Sequence, residues 1–116
     1  DMVSSAEDIK GVRVLATKIE GISGKALRDL ADQLRPKLSS GILCLGAESD
    51  GRASLLISVS KDLTGEFKAG DLMRELAPHI DGKGGGKPEL AQGGGTNPNG
   101  FPALFEALKA RLETRA

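Results

Sequence analysis

The segment 82–95 contains the residues best suited to binding chemistry. It holds two triple-glycine runs, Gly84–Gly86 and Gly93–Gly95, which include six of the chain's 16 glycines. Consecutive glycine amides can form a concavity that binds an anion such as a phosphate. Lys83 and Lys87 bracket the first run and would add positive charge at the same place. The pattern also fits a structural role, in which glycines allow close packing and both lysines are solvated, and the spacing alone leaves both interpretations open.

The sequence offers little other chemistry. A P-loop needs Gly, four residues, and then Gly-Lys-Ser/Thr, but here Pro88 follows Lys87. With one histidine, His79, and one cysteine, Cys44, no set of Cys and His ligands for zinc can form. Cys44 lies in an apolar run, which favours a buried structural thiol. The acidic residues are scattered among lysines, as on a solvated surface, so we expect neither a catalytic centre nor a metal site.

Composition limits the function further. The chain has 116 residues with 39% hydrophobic content, which fits one domain with a modest core. Sixteen basic residues balance 16 acidic ones, whereas an autonomous nucleic-acid-binding domain usually has a basic excess. A local basic patch remains compatible with this balance. There are three Phe and no Trp or Tyr, so little ring area is available for base stacking. No signal peptide or transmembrane segment is visible, and we expect a cytoplasmic protein without a membrane partner.

The first half of the chain predicts the order strand, helix, strand, strand. Helical spacing begins after Ser23, which is placed to cap a helix. Asp50-Gly51 between two apolar runs predicts a hairpin. A strand–helix–strand crossover makes the first two strands parallel, and the hairpin adds an antiparallel neighbour. The predicted strands are Arg13–Glu20, Ile42–Ala47 and Ala53–Ser60, and the apolar helical positions are Leu27, Leu30, Ala31, Leu34 and Leu38.

The second half predicts two helices separated by a glycine-rich loop of about 20 residues, which at that length is usually functional or disordered. Pro78 should kink the second helix or end it early, and Pro102 suits the first position of the last. If the glycine runs need positive φ or close packing, replacing Gly85 or Gly94 with Val should lower stability even without RNA. The fold class is α/β, a small mixed β-sheet with packed helices in the order β-α-β-β-α-Gly-rich loop-α. The apolar helical positions are Leu72, Met73, Leu76, Ala77 and Ile80, then Phe101, Leu104, Phe105, Leu108 and Leu112.

The run Gly-Gly-Gly-Lys-Pro-Glu-Leu-Ala-Gln-Gly-Gly-Gly at 84–95 resembles the DHH-associated domain family, and within it the C-terminal domain of the alanyl-tRNA synthetase family. The likeness extends over roughly residues 10–114, including Ala69–Leu72, Leu55–Ser60 and Phe101–Leu112. It implies a non-catalytic domain that docks on the outer corner (elbow) of a tRNA, expected to be tRNA-Ala, and links aminoacylation to editing. The parent would be an alanine–tRNA ligase whose other domains are partners and use ATP, Mg and Zn, with no cofactor in this domain. Residues 1–10 would then be the remnant of a connecting segment, and residues 11–116 the globular domain.

Three classes of function remain in competition. In DHH phosphoesterases the related domain carries Gly-Gly-Gly-His and grips nucleic acid, but Lys87 stands here in place of that His, which favours the synthetase branch. The third class is an oligomerisation domain, with a homodimer as partner. Lys25, Arg28 and Lys37 on the first helix are ambiguous between RNA contact and solvation. The candidate tRNA-binding residues are Lys83, Gly84, Gly85, Gly86, Lys87, Gln92, Gly93, Gly94, Gly95, Lys109 and Arg111.

Overall fold

A six-stranded mixed sheet organises the computed structural model, which describes residues 2–115. The strand order across the sheet is β1-β2-β3-β4-β6-β5. Short 3-10 helices cover Met2–Ser5, Lys61–Leu63, Ala77–Ile80 and Pro98–Gly100. The main elements are β1 (Glu7–Ile9), β2 (Val12–Glu20), α1 (Gly24–Leu38), β3 (Ile42–Ser49), β4 (Arg52–Val59), α2 (Ala69–Leu76), β5 (Gly82–Gly86), β6 (Leu90–Gly95) and α3 (Phe101–Glu113).

The centre of the sheet confirms the predicted topology. Strands β2 and β3 are parallel, and β3 and β4 form an antiparallel hairpin. Asp50 and Gly51 at its turn have φ of 53° and 76°, the left-handed conformation that a two-residue hairpin turn requires. Helix α1 begins after Ser23, whose Oγ accepts a hydrogen bond from the Ala26 amide at 3.2 Å. This cap satisfies one of the amides that a helix N-terminus leaves without a partner.

The core lies in two layers, one on each face of the sheet. Helix α1 packs on the first face, and α2 and α3 pack on the second. Phe101, the first residue of α3, is fully buried, and Phe105 packs against it with ring centroids 5.7 Å apart, as predicted for core residues. Cys44 is also buried, and desolvation raises the pKa of its thiol to about 12. The two apolar layers are built from Leu27, Leu34, Leu43, Leu45 and Leu56 on the α1 side, and from Leu55, Ile57, Leu72, Met73, Phe101, Leu104 and Leu108 on the other.

The opening segment contributes to the core, although the first strand predicted from the sequence begins only at Arg13. Val3 and Ile9 are buried, and β1 pairs antiparallel with β2. The two-residue turn Lys10-Gly11 has φ of 52° and 86°, and the Gly11 amide donates to Asp8 Oδ1 at 3.0 Å. Three residues are too few to show the alternation that reveals a strand in the sequence. That residues 1–10 derive from a connecting segment stays a prediction.

Both helices of the second half are present where the apolar spacing predicted them. Helix α2 ends at Leu76, and a 3-10 helix continues to Ile80, so Pro78 ends the helix early because proline cannot supply the next amide. Pro102 lies in the first turn of α3, where a missing amide costs nothing.

The prediction of a glycine-rich loop is wrong, because residues 82–95 form the antiparallel hairpin β5–β6. Strand β6 also pairs antiparallel with β4. The ladder is made by backbone groups, which glycine has, whereas the side-chain alternation that reveals a strand is missing from a glycine run. The glycines with positive φ among residues 2–115 are Gly11, Gly21, Gly41 and Gly51, so positive φ is not the reason for glycine at Gly85 or Gly94.

Candidate nucleic-acid interface

One face of the β5–β6 hairpin is closed by α2. A Cβ built at Gly93 would lie 2.8 Å from Met73 Sδ and 2.7 Å from the Lys83 carbonyl oxygen. In the opposite direction, a Cβ at Gly70 of α2 would lie 2.8 Å from the Gly86 carbonyl oxygen. Real Cβ atoms essentially never make such contacts. Glycine is therefore required for the helix and the hairpin to approach this closely.

Further glycines are required within the hairpin itself. A Cβ at Gly84 would lie 2.5 Å from Gly93 Cα. A Cβ at Gly82 would collide with the carbonyl oxygen of Gly94. In the same way, a Cβ at Gly86 would collide with that of Leu90, and a Cβ at Gly95 with that of Ile80. With Gly93, these residues form a set that we call the packed glycines: Gly82, Gly84, Gly86, Gly93 and Gly95. The packed glycines therefore have a structural role, because their lack of a side chain allows the strands and α2 to approach this closely.

Gly85 and Gly94, which we call the open glycines, behave differently. A Cβ at Gly85 would have no atom within 4 Å, and one at Gly94 would meet only the Ala53 carbonyl oxygen, at 3.1 Å. Glycine inside a strand costs roughly 0.5–1 kcal/mol relative to alanine. At Gly85 neither packing nor backbone conformation accounts for that cost. Close approach of a ligand is the other common reason for glycine in a strand.

The open glycines lie on the hairpin face that looks toward α1. Helix α1 packs over β3 and β4, so this part of the sheet remains accessible. In the β5–β6 register Lys83 is opposite Gly94, and Gly85 is opposite Gln92. Because side chains alternate along a strand, these four residues share one face. We call this surface, formed by Lys83, Gly85, Gln92 and Gly94, the open face.

Basic side chains surround the open face. One shallow depression is lined by Arg28, Gly85, Lys87 and Gln92 among others. The neighbouring depression is lined by residues that include Lys83, Gly94, Arg52 and Ser54, together with the acidic Asp81. Arg28 comes from α1, and its Nη1 donates to Gln92 Oε1 at 3.3 Å, which joins the helix to the open face.

Lys83 and Lys87 are exposed, and within residues 2–115 neither forms an ion pair. Lys87 occupies the β5–β6 turn, which is firmly anchored. The Gly70 amide donates to the Lys87 carbonyl at 3.2 Å, and the Ala69 amide donates to the Pro88 carbonyl at 2.8 Å. These bonds satisfy amides at the N-terminus of α2. The turn therefore holds the Lys87 backbone in place while its ammonium group is free to meet an anion.

The other two predicted cations lie elsewhere. Lys109 and Arg111 are on α3, which packs on the opposite side of the sheet from α1. Lys109 Nζ lies 3.1 Å from Glu7 Oε1 of β1, the strand at the far edge. Arg111 Nε lies 3.4 Å from Glu75 Oε1, and its guanidinium group is 5.9 Å from the Phe67 ring centre. The structure does not bring these two residues together with the glycine hairpin.

Sequence reasoning missed Arg52 and left Arg28 undecided. Both lie near the open face because β6 pairs with β4 and so lies beside α1, a pairing that a predicted loop could not provide. A partial signal for Arg52 was available, since it directly follows the predicted Asp50-Gly51 turn and alternates with Ser54.

Among residues 2–115, no group of three or more His, Cys, Asp or Glu side chains is arranged to hold a metal ion. In the same part of the chain, no helix has the length and apolar character needed to cross a membrane.

The architecture, with its glycine hairpin against α2, is that of a DHHA1 domain. The DHHA1 domain family matches residues 11–114, and the chain belongs to this family. Over 116 residues it is 50% identical to the alanine–tRNA ligase of Anaeromyxobacter dehalogenans, and over 115 residues it is 46% identical to that of Thiobacillus denitrificans. These alignments cover 100% and 99% of this chain but 13% of each relative. The chain thus spans a small part of the length of the curated relatives it matches.

Comparison with solved structures agrees with this family assignment. The chain is similar to the C-Ala domain of alanyl-tRNA synthetase from Aquifex aeolicus, with a TM-score of 0.88 and 29% identity over 94% of this chain and 98% of that one. The predicted resemblance and fold class are confirmed. A DHH-domain protein from a family of ribosomal proteins shares the fold, with a TM-score of 0.59 and 17% identity over 97% of this chain and 29% of that one.

Proposed function

We propose that this domain binds tRNA through the open face and acts as a non-catalytic accessory domain of an alanine–tRNA ligase. The observation that carries the proposal is the open glycine Gly85 between two cations that form no ion pair within residues 2–115. Gly85 has no structural need for glycine, and Lys83 and Lys87 form no ion pair among residues 2–115. An exposed backbone surface with exposed positive charges at its margins suits the backbone of a nucleic acid.

The chemistry of the open face fits RNA recognised by shape. Folded RNA presents phosphates and 2′-hydroxyl groups, which lysine, arginine and glutamine side chains can contact. The surface carries no aromatic side chain, because Phe101 is buried and Phe105 packs on it. Base stacking on protein rings therefore contributes little to this mode of binding. Such contacts suit the tRNA elbow, a feature that different tRNAs share.

A neutral domain can still serve an RNA-binding enzyme. The net charge is +0, which predicts weak binding by the domain alone. Linked to other domains that hold the same tRNA, even a weak contact adds strongly to the total affinity through effective concentration. The proposal therefore includes the remaining domains of the ligase as partners, with aminoacylation, editing and any use of ATP, Mg or Zn assigned to them. The phosphoesterase alternative is not favoured, since Lys87 follows the first glycine run and the relatives are ligases.

A pair of double charge reversals tests where RNA binds. Replacing Lys83 and Lys87 with Glu should weaken tRNA-Ala binding about tenfold or more at physiological salt, and lower the magnitude of the salt slope by about 1.5, because each phosphate contact contributes roughly 0.7–0.9. Replacing Lys109 and Arg111 with Glu changes the net charge equally, on the opposite side of the sheet. Fluorescence titration at several salt concentrations measures both quantities. Equal losses in both variants would show a general charge effect, and a larger loss at α3 would move the interface there.

Comparison of RNAs tests the elbow. Similar affinity for tRNA-Ala and a non-cognate tRNA, with weaker binding to a simple RNA hairpin, is the expected pattern. Binding to the hairpin as strong as to either tRNA would contradict recognition of the elbow. Analytical ultracentrifugation of the same samples would reveal a homodimer, and a dimer with unchanged tRNA binding in the Lys83/Lys87 variant would favour the oligomerisation role.

A further inference from the structure

A cleft of about 270 Å³ lies at the C-terminal end of α1, away from the two depressions of the open face. It is formed where the end of α1 meets the start of β3, the end of β4 and the residue before β6. Its apolar walls are Leu38 and Leu43, and Arg35 and Glu89 contribute charged groups. Val59 borders the cleft with its backbone, because its side chain packs in the core on the other face of the sheet. The volume exceeds the roughly 30 Å³ that one water occupies in the liquid by severalfold, and it is just below the range typical of drug-sized ligands.

The cleft contains a buried hydroxyl group without a protein partner. Ser58 is 4% exposed and lines the cleft, and its Oγ makes no hydrogen bond to any of residues 2–115. In the same part of the chain, no fully enclosed side-chain oxygen or nitrogen lacks a partner. The remaining accessible area of Ser58 must therefore include Oγ, which opens into the cleft. A buried polar group that faces a cavity usually serves a ligand or a bound water.

The cleft is separate from the open face, but adjacent residues of the chain line the two. Ser58 is paired with Leu90 across β4 and β6. Leu90 lines the depression that also contains Gly85 and Lys87, whereas the preceding residue, Glu89, lines the cleft. A strand of RNA that lies along the hairpin toward Lys87 would thus reach the cleft at its end, since adjacent strands are about 4.8 Å apart.

Resting on the proposed function, we propose that this cleft receives one unstacked nucleobase of the RNA bound on the open face. A base has apolar faces and a polar edge, which match the apolar walls of Leu38 and Leu43 and the hydroxyl of Ser58. The guanidinium group of Arg35 pairs with Asp32 through one nitrogen and has further N–H groups to donate, and the Glu89 carboxylate supplies acceptors. Unstacked bases of RNA loops are recognised in this way, through the edges that base pairing leaves free.

Methyl NMR tests the proposal on the complex of this chain with a tRNA-Ala transcript. With Leu methyl groups labelled in deuterated protein, the methyl groups of Leu38 and Leu43 should shift and show NOEs to base protons. Unchanged methyl resonances, in a complex whose amides shift at Gly84–Gly94, would overturn the base-binding cleft and leave the open face intact. Unchanged signals at both places at saturating tRNA would overturn the proposed function as well.

Variants of Ser58 give an independent measurement. Ser58→Val fills the space at Oγ, and it should abolish the NOEs and weaken tRNA binding about 3- to 10-fold, the effect of one lost hydrogen bond. Ser58→Ala removes the hydroxyl without adding bulk, and it should lower affinity while retaining the fold if the larger variant does not fold. The matched control is Ser5→Ala, at an exposed serine near the other edge of the sheet. Wild-type affinity in both Ser58 variants would contradict the proposal.

Discussion

The packed and open glycines lie in one hairpin and often in adjacent positions, yet they are glycines for different reasons. At Gly84 and Gly93 a side chain would meet backbone or a neighbouring helix within 2.9 Å. At Gly85 a side chain would meet nothing within 4 Å. A triple-glycine run is therefore not one functional unit. Alternation along the strand sends one glycine toward α2 and the next toward solvent, so folding and binding requirements are interleaved residue by residue.

This difference also separates two kinds of cation. Lys83 and Lys87 border the open glycines and form no ion pair within residues 2–115. Lys109 and Arg111 on α3 each pair with a carboxylate. An exposed ion pair contributes little stability, but it does occupy the charge that a phosphate would otherwise meet. The accessible positive charge and the accessible backbone thus coincide at the open face.

The largest expected effect is on stability, at a packed glycine. In Gly95→Ala the new Cβ would collide with the Ile80 carbonyl oxygen, and backbone must move to relieve it. We expect a loss of about 2–4 kcal/mol in the free energy of unfolding, as for severe overpacking, measured by urea denaturation. Gly85→Ala is the matched control, and it should leave stability unchanged or raise it by about 0.4–1 kcal/mol. Equal stability of the two variants would contradict the division of the glycines.

The next effect is on binding, at an open glycine. Gly85→Val places a branched side chain where a ligand backbone would approach, and β-branched residues suit a strand. We expect tRNA-Ala affinity to fall about tenfold, or about 1.4 kcal/mol, with no loss in melting temperature. Fluorescence titration and thermal unfolding of the same sample measure the two quantities. If stability falls and affinity does not, Gly85 is needed for folding after all.

The β3–β4 hairpin could be predicted from sequence and the β5–β6 hairpin could not. The first has two apolar runs joined by Asp50-Gly51, and both turn residues adopt the expected positive φ. In the second, Ala91 and Gln92 alone separate Leu90 from the second glycine run, so the hydrophobic period that marks a strand is missing. Its position is decided by β4, whose free edge it covers, and by α2.

The residues of the open face and its surroundings could likewise be predicted only in part. Lys83, Lys87 and Gln92 could be found because they adjoin the glycine runs. Arg28 and Arg52 are distant in sequence, and the pairing of β6 with β4 alone brings them to the same surface. Their roles depend on a contact that single-sequence patterns do not encode.

Arg28→Ala should have a smaller effect that tests whether α1 belongs to the open face. The change removes one cation and the hydrogen bond to Gln92. We expect affinity for tRNA-Ala to fall about threefold and the salt slope to decrease by about 0.7–0.9, the value for one phosphate contact. Stability should change by less than about 1 kcal/mol, because the side chain is exposed and its pair with Asp32 is 3.8 Å long. Gln92→Ala separates the two contributions, since it should lower affinity without changing the salt slope.

The smallest effect concerns the alkylation rate of the buried Cys44 thiol. This rate measures how often the core opens, and it can therefore distinguish the packed glycines from the open glycines. Its pKa is raised to about 12 by burial, from a reference value of 9.0. The folded thiol therefore stays protonated and inert at pH 8, and alkylation requires opening of the core. Because the folded pKa lies above the unfolded one, this thiol's contribution to stability is complete below pH 9 and is lost as pH rises toward 12. In native-state alkylation at pH 8, Gly95→Ala should label faster than wild type and Gly85→Ala should not. Fast labelling of wild type would mean that the thiol is reached without unfolding, and the probe could not then separate the two sets of glycines.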